Sequence, residues 1–299
     1  MKKYFTINNG LKIYKSFKLA HFTTFKIGGR AEFFCIPRSA NDIKSAIKFA
    51  EEKNLKKFIL GGGSNVLISD KGLNGLVISV NKLNKIWIDR NFLITEAGAE
   101  IDKVSYYALK KSLSGLEFAG GLPGSIGGAV YMNAKAYGSS MSEIVHSVTV
   151  IDKKGKIIKL KNKDIGFSYK NSIFMNNGDL FIYSIELKLS KGDKKKIKEL
   201  YNKNKNDRKL KGQYDFPSAG CIFKNDYELN LVIGRLIEEM GLKGTRIGDA
   251  MISYKHANFI INKGHAKTED VKRLIELVEK KVFEEKGIKL HREIRLLGF

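Results

Sequence analysis

The stretch Gly120-Gly121-Leu122-Pro123-Gly124-Ser125-Ile126-Gly127-Gly128 decides how the rest of the chain is read. Glycine lets the backbone turn tightly and brings amide N–H groups close to an anion with no side chain in the way. A second loop of the same character, Gly61-Gly62-Gly63-Ser64-Asn65, follows the short apolar run Phe58-Ile59-Leu60. Neither loop closes with the Gly-Lys-Ser/Thr of a Walker turn, and neither has the GxGxxG spacing of a Rossmann turn. One such loop alone reads as an ordinary connection. Two in one region, with the hydroxyls of Ser64 and Ser125 and the amide of Asn65 beside them, point to a dinucleotide gripped by its diphosphate. Spacing carries the inference no further.

Outward from the loops, the pattern mixes helices and strands without a regular βαβ alternation. Ile43, Ala46, Ile47 and Ala50 follow the i, i+3, i+4, i+7 spacing of a helix over 39–54, with Asp42 in its first turn. Strands are expected at 76–80, 92–97 and 181–189, and a helix over 101–111. Residues 145–151 and 156–160 flank Asp152-Lys153-Lys154-Gly155 as a hairpin. The last third reads as a helix over 229–240, a strand over 257–261 and a helix over 268–285. That last helix has Val271, Leu274, Ile275, Val278 and Val282 on one face and Thr268 as its expected N-cap. The fold class is therefore α+β.

The 299 residues exceed what one core usually holds, so more than one domain is expected. With 43% hydrophobic and 28% charged residues the composition is that of a globular chain. No apolar stretch reaches bilayer-spanning length and Met1–Gly10 has no signal-peptide core, which reads as a soluble cytoplasmic protein with no membrane partner. Cys35 and Cys221 suggest no disulfide framework. The formal charge of +23 comes from 54 Lys+Arg against 31 Asp+Glu, scattered through nearly every segment. A nucleic-acid binder concentrates such charge on one face, often with aromatics interleaved. Dispersed lysines fit attraction for phosphorylated small molecules better than nucleic-acid binding. The densest run, Lys194 through Lys211, reads as one solvated basic helix and the best place for a domain junction, with domains at 1–192 and 193–299.

Thr23-Thr24-Phe25-Lys26-Ile27-Gly28-Gly29-Arg30-Ala31, the two glycine loops, Pro217-Ser218-Ala219-Gly220-Cys221-Ile222-Phe223-Lys224-Asn225, Ser253-Tyr254-Lys255-His256-Ala257-Asn258 and Glu293-Ile294-Arg295 stand in a distinctive order. In that combination the chain resembles the UDP-N-acetylenolpyruvoylglucosamine reductases, specifically the shorter type II group. The resemblance implies an FAD-binding domain of the vanillyl-alcohol-oxidase type, made of two α+β subdomains, followed by a smaller α+β substrate domain. It also implies non-covalent FAD, NADPH as co-substrate, no metal, and reduction of UDP-GlcNAc-enolpyruvate to UDP-N-acetylmuramate, a peptidoglycan precursor. A monomer is expected.

Hydride added to the terminal enol carbon leaves negative charge on the adjacent carbon, delocalised into the carboxylate. The site then needs a proton donor and groups that stabilise the enolate. The family's donor is usually a serine, and Cys221 stands at that position here. A thiol, with a pKa near ~8.5, is a far stronger acid than an aliphatic hydroxyl. Lys170, after Tyr169, replaces the usual arginine: a point charge on a flexible stem instead of a planar fork. Glu293 falls at the family's catalytic glutamate. The resemblance further implies that the cofactor is held by Gly61, Gly62, Gly63, Ser64, Asn65, Gly121, Pro123, Gly124, Ser125, Gly127 and Gly128, and the substrate by Tyr169, Lys224, Asn225 and Lys209. His256 and Asn258 read as structural.

Two other classes stay open on the residues: another FAD oxidoreductase of the same superfamily, and a basic nucleic-acid-binding protein. The first gives a yellow protein indifferent to the enolpyruvyl substrate. The second gives a colourless one with steeply salt-dependent nucleic-acid affinity.

Overall fold

The computed structural model describes residues 3–299, and it separates into two compact units that do not follow chain order. The first comprises residues 3–17, 31–62 and 74–207, and the second 18–30, 63–73 and 208–299. Two short N-terminal segments therefore fold with the C-terminal third.

The first unit contains two five-stranded sheets. One runs Tyr4–Thr6, Lys12–Lys18, Arg30–Cys35, Leu73–Ser79, Lys57–Leu60, and its last pair is parallel. The helix Ala40–Glu52 covers it, burying Ile43, Ala46, Ile47 and Ala50 as their spacing predicts. Ser39 caps that helix by accepting the Asp42 N–H at 3.1 Å. Cys35 lies wholly buried in this layer, and burial, with the charge of Asp42 added, pushes its thiol far above the ordinary range. A thiol so placed behaves as a small hydrophobe.

The second sheet is antiparallel, in the order Ile157–Lys161, Val145–Asp152, Leu180–Lys188, Phe92–Glu96, Ile86–Asp89. The predicted hairpin is its edge: the Asp152 carboxylate accepts the N–H groups of Lys154 and Lys156 at 2.9 and 2.8 Å, and Gly155 supplies the left-handed turn residue at φ 79°. The helices Ile101–Lys110 and Ile126–Tyr131 pack on this sheet around Val104, Ala108, Ile126, Val130, Val148 and Ile185.

The basic helix differs from its expectation. It spans Lys194–Leu210, but Ile197, Tyr201, Asn204 and Arg208 form a buried stripe at spacings of four, three and four. The helix's lysines lie outside that stripe. A charge-rich composition hid an amphipathic period.

The second unit is built on a four-stranded sheet, Ser218–Cys221, Phe259–Asn262, Ala250–Ile252, Arg246–Ile247. The long helix Thr268–Lys286 lays Val271, Leu274, Ile275, Val278 and Val282 on its core, together with Phe25, Ile27 and Leu67 from the inserted segments. Arg295–Leu297 pairs in parallel with Val66–Ile68. Thr268 is not the N-cap but the first helical residue, because Asp70 takes its N–H at 2.7 Å while its hydroxyl donates to the Ile68 carbonyl at 3.3 Å. The predicted helix over 229–240 is shorter, Ile233–Glu239. Before it, Asp226 and Leu231 exchange backbone hydrogen bonds of 3.0 and 2.6 Å, closing a loop that no helix can enter. Among the described residues no helix is long and apolar enough to cross a membrane.

Candidate active site

In the first unit Gly61 and Gly62 lie against the second glycine loop. A methyl group on Gly62 would sit 2.6 Å from the Gly124 Cα, and one on Gly61 would sit 2.4 Å from the Ser125 Oγ. Backbone blocks any side chain at Gly62, so glycine is a packing requirement there, whereas at Gly61 the Ser125 hydroxyl would have to move. The Ser125 hydroxyl accepts the N–H of Gly62 at 3.3 Å and of Gly128 at 3.2 Å, capping the helix Ile126–Tyr131 while tying the loops together. With both acceptor sites in use, its O–H remains to donate.

The amides of the second loop are unevenly committed. Gly121 donates to the Asp102 carboxylate at 2.6 Å and Gly127 to the Ala97 carbonyl at 2.8 Å. Pro123 has no N–H to give. Those of Gly61 and Gly124 have no acceptor among the described residues. A diphosphate needs such a set: two uncommitted amides and a hydroxyl with a proton to give, on backbone that a ligand oxygen can approach closely. The first unit's residues fit a dinucleotide cofactor.

Lys170 is held from beneath by the same helix. Ser168 and Asn171 exchange N–H···O bonds of 3.2 Å each, so Tyr169 and Lys170 form a two-residue turn, with Lys170 at φ 52°. Asn133 donates to the Ser168 carbonyl at 2.9 Å, and the wholly buried Ser172 donates to the Tyr131 carbonyl at 2.5 Å. Both contacts reach the end of the helix that starts at Ser125. A left-handed lysine costs roughly 1–2 kcal/mol relative to glycine.

In the second unit Cys221 ends the strand Ser218–Cys221, half-buried, opposite Phe259 and after Gly220 at φ 73°. The chain past Cys221 runs antiparallel to the segment around Glu293. Glu293 N–H donates to the Ile222 carbonyl at 2.7 Å, Lys224 N–H donates to the His291 carbonyl at 2.8 Å, and Phe223 bridges Arg292. Cys221 and Glu293 thus stand on adjacent strands of backbone. Asn258, almost fully buried, fixes this segment by taking the Phe223 N–H at 2.9 Å and donating to the Phe223 carbonyl at 2.8 Å. His256 stacks on Phe259 at 4.3 Å. Arg292 is held bidentately by Glu279, at 2.5 and 2.6 Å, so its charge is matched by the long helix.

Three site candidates carry structural duties in this unit. Asn65 donates its side-chain N–H to the Glu293 carbonyl at 3.0 Å and accepts Arg295 N–H on its own carbonyl at 3.0 Å. Gly63, at φ 64°, accepts the Thr24 N–H at 3.0 Å, and a methyl there would lie 2.1 Å from the Phe22 carbonyl oxygen. Asn225 accepts the N–H of Ile233 at 3.1 Å at the start of the short helix. Lys209, exposed, lies in the last turn of the basic helix. Among the described residues no His/Cys/Asp/Glu group of three or more could hold a metal ion.

Residues 31–161, which contain both glycine loops, match the family described as an FAD binding domain. Residues 212–297, which contain Cys221 and Glu293, match the C-terminal domain of UDP-N-acetylenolpyruvoylglucosamine reductase. A reductase of that name from Clostridium novyi is 43% identical over 297 residues, covering 99% of this chain and 96% of the relative. The chain belongs to the UDP-N-acetylenolpyruvoylglucosamine reductase family. The reductase of Borreliella burgdorferi is 45% identical over 282 residues, 94% of this chain and 93% of the relative. The crystal structure of the reductase from Thermus caldophilus superposes with a TM-score of 0.81 at 32% identity, over 96% of this chain and 98% of that one. As a member of this reductase family the chain is an FAD-containing oxidoreductase of α+β fold.

Proposed function

We infer that this chain reduces the enolpyruvyl group of UDP-GlcNAc-enolpyruvate to the lactyl ether of UDP-N-acetylmuramate, with NADPH as reductant, in peptidoglycan synthesis. Bound FAD would supply the hydride relay between NADPH and the substrate's terminal enol carbon. The observation that carries the residue assignment is the adjacency of the Cys221 and Glu293 segments through the Glu293–Ile222 hydrogen bond.

Hydride delivery places an electron pair on the carbon bearing the carboxylate. The Cys221 Sγ–H supplies the proton that this carbon takes up, leaving a thiolate that recovers its proton from solvent between turnovers. The Glu293 carboxyl serves the same step, hydrogen-bonding the enolate or orienting the thiol. The Lys170 ammonium offsets the developing charge. A lysine kept where glycine costs less is the pattern of strain retained for a side chain's sake. Tyr169, Lys224, Asn225 and Lys209 serve the nucleotide-sugar, cations favouring its diphosphate. Gly61, Gly62, Gly63, Ser64, Asn65, Gly121, Pro123, Gly124, Ser125, Gly127 and Gly128 form the cofactor loops. Gly61, Gly124 and Ser125 supply donors, Pro123 shape, and Gly62 and Gly127 close approach. The first unit acts as the FAD domain and the second as the substrate domain, in a monomer working in the cytoplasm.

The test is anaerobic stopped-flow spectroscopy of the purified protein. The flavin bands should bleach with NADPH and recover when UDP-GlcNAc-enolpyruvate is added. Recovery with oxygen alone, and never with that substrate, would instead assign the chain to another FAD oxidoreductase.

A further inference from the structure

Asp102 has no part in the reaction described above, yet its carboxylate accepts three hydrogen bonds. Its Oδ1 accepts the Gly121 N–H and the Tyr201 hydroxyl, both at 2.6 Å, and its Oδ2 accepts the Lys205 ammonium at 2.9 Å. Tyr201 and Lys205 belong to the basic helix Lys194–Leu210, 99 and 103 residues away in sequence. Around this carboxylate the same helix touches the loop twice more. Asn204, buried, donates to the Glu117 carbonyl at 2.9 Å, and a methyl on Gly120 would lie 2.8 Å from the Tyr201 ring. The backbone from Glu117 to Gly121 is pinned at three points where the second glycine loop begins.

We propose that Asp102 is a positioning residue for the cofactor, fixing the second glycine loop through the Gly121 amide, and that Tyr201 and Lys205 hold Asp102 in place. The proposal rests on the reading of that loop as part of the cofactor site. Gly121 sits at φ 74° and Gly124 at φ 113°, conformations that a glycine backbone leaves easily. Without an anchor the loop samples many arrangements, of which one presents the Gly124 amide and Ser125 hydroxyl together. Apparent affinity falls in proportion to the fraction of molecules in the competent arrangement. A fall of that fraction to about a tenth raises the FAD dissociation constant about tenfold. The contact that matters is the acceptor oxygen rather than the net charge, so asparagine should largely replace aspartate.

The experiment compares apoproteins of wild type, Asp102→Ala, Asp102→Ser, Asp102→Asn and Gly62→Ala, titrated with FAD and followed by quenching of flavin fluorescence. Each apoprotein is also melted by circular dichroism. Asp102 keeps 31% of its side chain exposed, so truncation opens no core cavity. Expected are a roughly tenfold weaker FAD affinity for the alanine and serine variants, recovery to within about threefold for asparagine, and apoprotein melting within about 4 °C of wild type throughout the Asp102 series. Wild-type affinity in Asp102→Ala or Asp102→Ser overturns the proposal. So does an asparagine variant as weak as alanine, or a loss of affinity that merely tracks a fall in melting temperature. Gly62→Ala separates the two levels. If it has lost FAD while Asp102→Ala has not, the loop reading stands and the positioning role falls; if it binds FAD normally, the loop reading itself falls.

Discussion

Glu293 donates its backbone N–H to the carbonyl of Ile222 at 2.7 Å, one residue beyond Cys221. A thiol and a carboxyl 72 positions apart in the chain (293 less 221) are thereby set on neighbouring backbone, with the Asn258 side chain bonded to both the N–H and the carbonyl of Phe223. The geometry is held by main-chain hydrogen bonds, so side-chain substitutions at Cys221 and Glu293 should test chemistry more than architecture.

Cys221→Ala should leave NADPH-driven flavin reduction within about twofold of wild type and slow reoxidation by the enolpyruvyl substrate by about 10²- to 10⁴-fold, the usual worth of a general acid. Stopped-flow measurement of the two half-reactions separates these. Cys221→Ser should recover much of the second. Equal loss in both half-reactions would mean that Cys221 supports flavin binding instead.

At Lys170 the backbone angle imposes the same cost on lysine and arginine, so exchanging them reads the side chain alone. Lys170→Arg should match or exceed wild-type kcat/KM for the enolpyruvyl substrate, since a planar fork pairs better with a carboxylate. Lys170→Ala should lose about 2 kcal/mol of transition-state stabilisation, roughly thirtyfold in kcat/KM. A folded but inactive arginine variant would contradict the role.

Ser79 is wholly buried in the strand Leu73–Ser79, and its hydroxyl has no hydrogen-bond partner among the described residues. An unsatisfied buried hydroxyl costs about 1–3 kcal/mol. Ser79→Ala should raise the unfolding free energy by about 1 kcal/mol in urea titration, and an unchanged or lower midpoint would show that a bound water already satisfies the group.

Burial raises the Asp102 carboxyl, but hydrogen bonds from Tyr201, Gly121 and Lys205 outweigh it and hold the group below the usual carboxylate range. Burial and the hydrogen bond to Asp102 push Tyr201 up to about 12. A depressed carboxyl contributes stability that is complete above its unfolded pKa of about 3.9 and is lost as pH falls through its lower folded value. The stability deficit of Asp102→Asn should therefore begin to shrink below about pH 4, where the unfolded wild type takes up its proton, and vanish only as pH falls through the lower folded value. Urea midpoints between pH 3 and 7 check this, and a difference that stays constant across the range would deny the linkage.

Much of this was legible before any coordinates. Helix 40–52 announced itself by Ile43, Ala46, Ile47 and Ala50, and the hairpin by Asp152 to Gly155, because both are governed by short-range periodicity and turn chemistry. Tyr201 was obscured by the lysines around it, although its four-residue spacing from Ile197 was there to be counted. Asp102 and Asn133 carried no local signal, since their partners lie 99 and 35 residues away.

The sequence by itself determined the family, the two glycine loops and the presence of a thiol where a hydroxyl is usual, because residue identities in order are enough for those. Only the tertiary structure decided that segments 18–30 and 63–73 join the C-terminal unit, that Asp102 accepts the Gly121 N–H, and which loop amides find an acceptor among the described residues. Those are long-range choices. They depend on which distant backbone groups satisfy one another in three dimensions, and no local pattern encodes that.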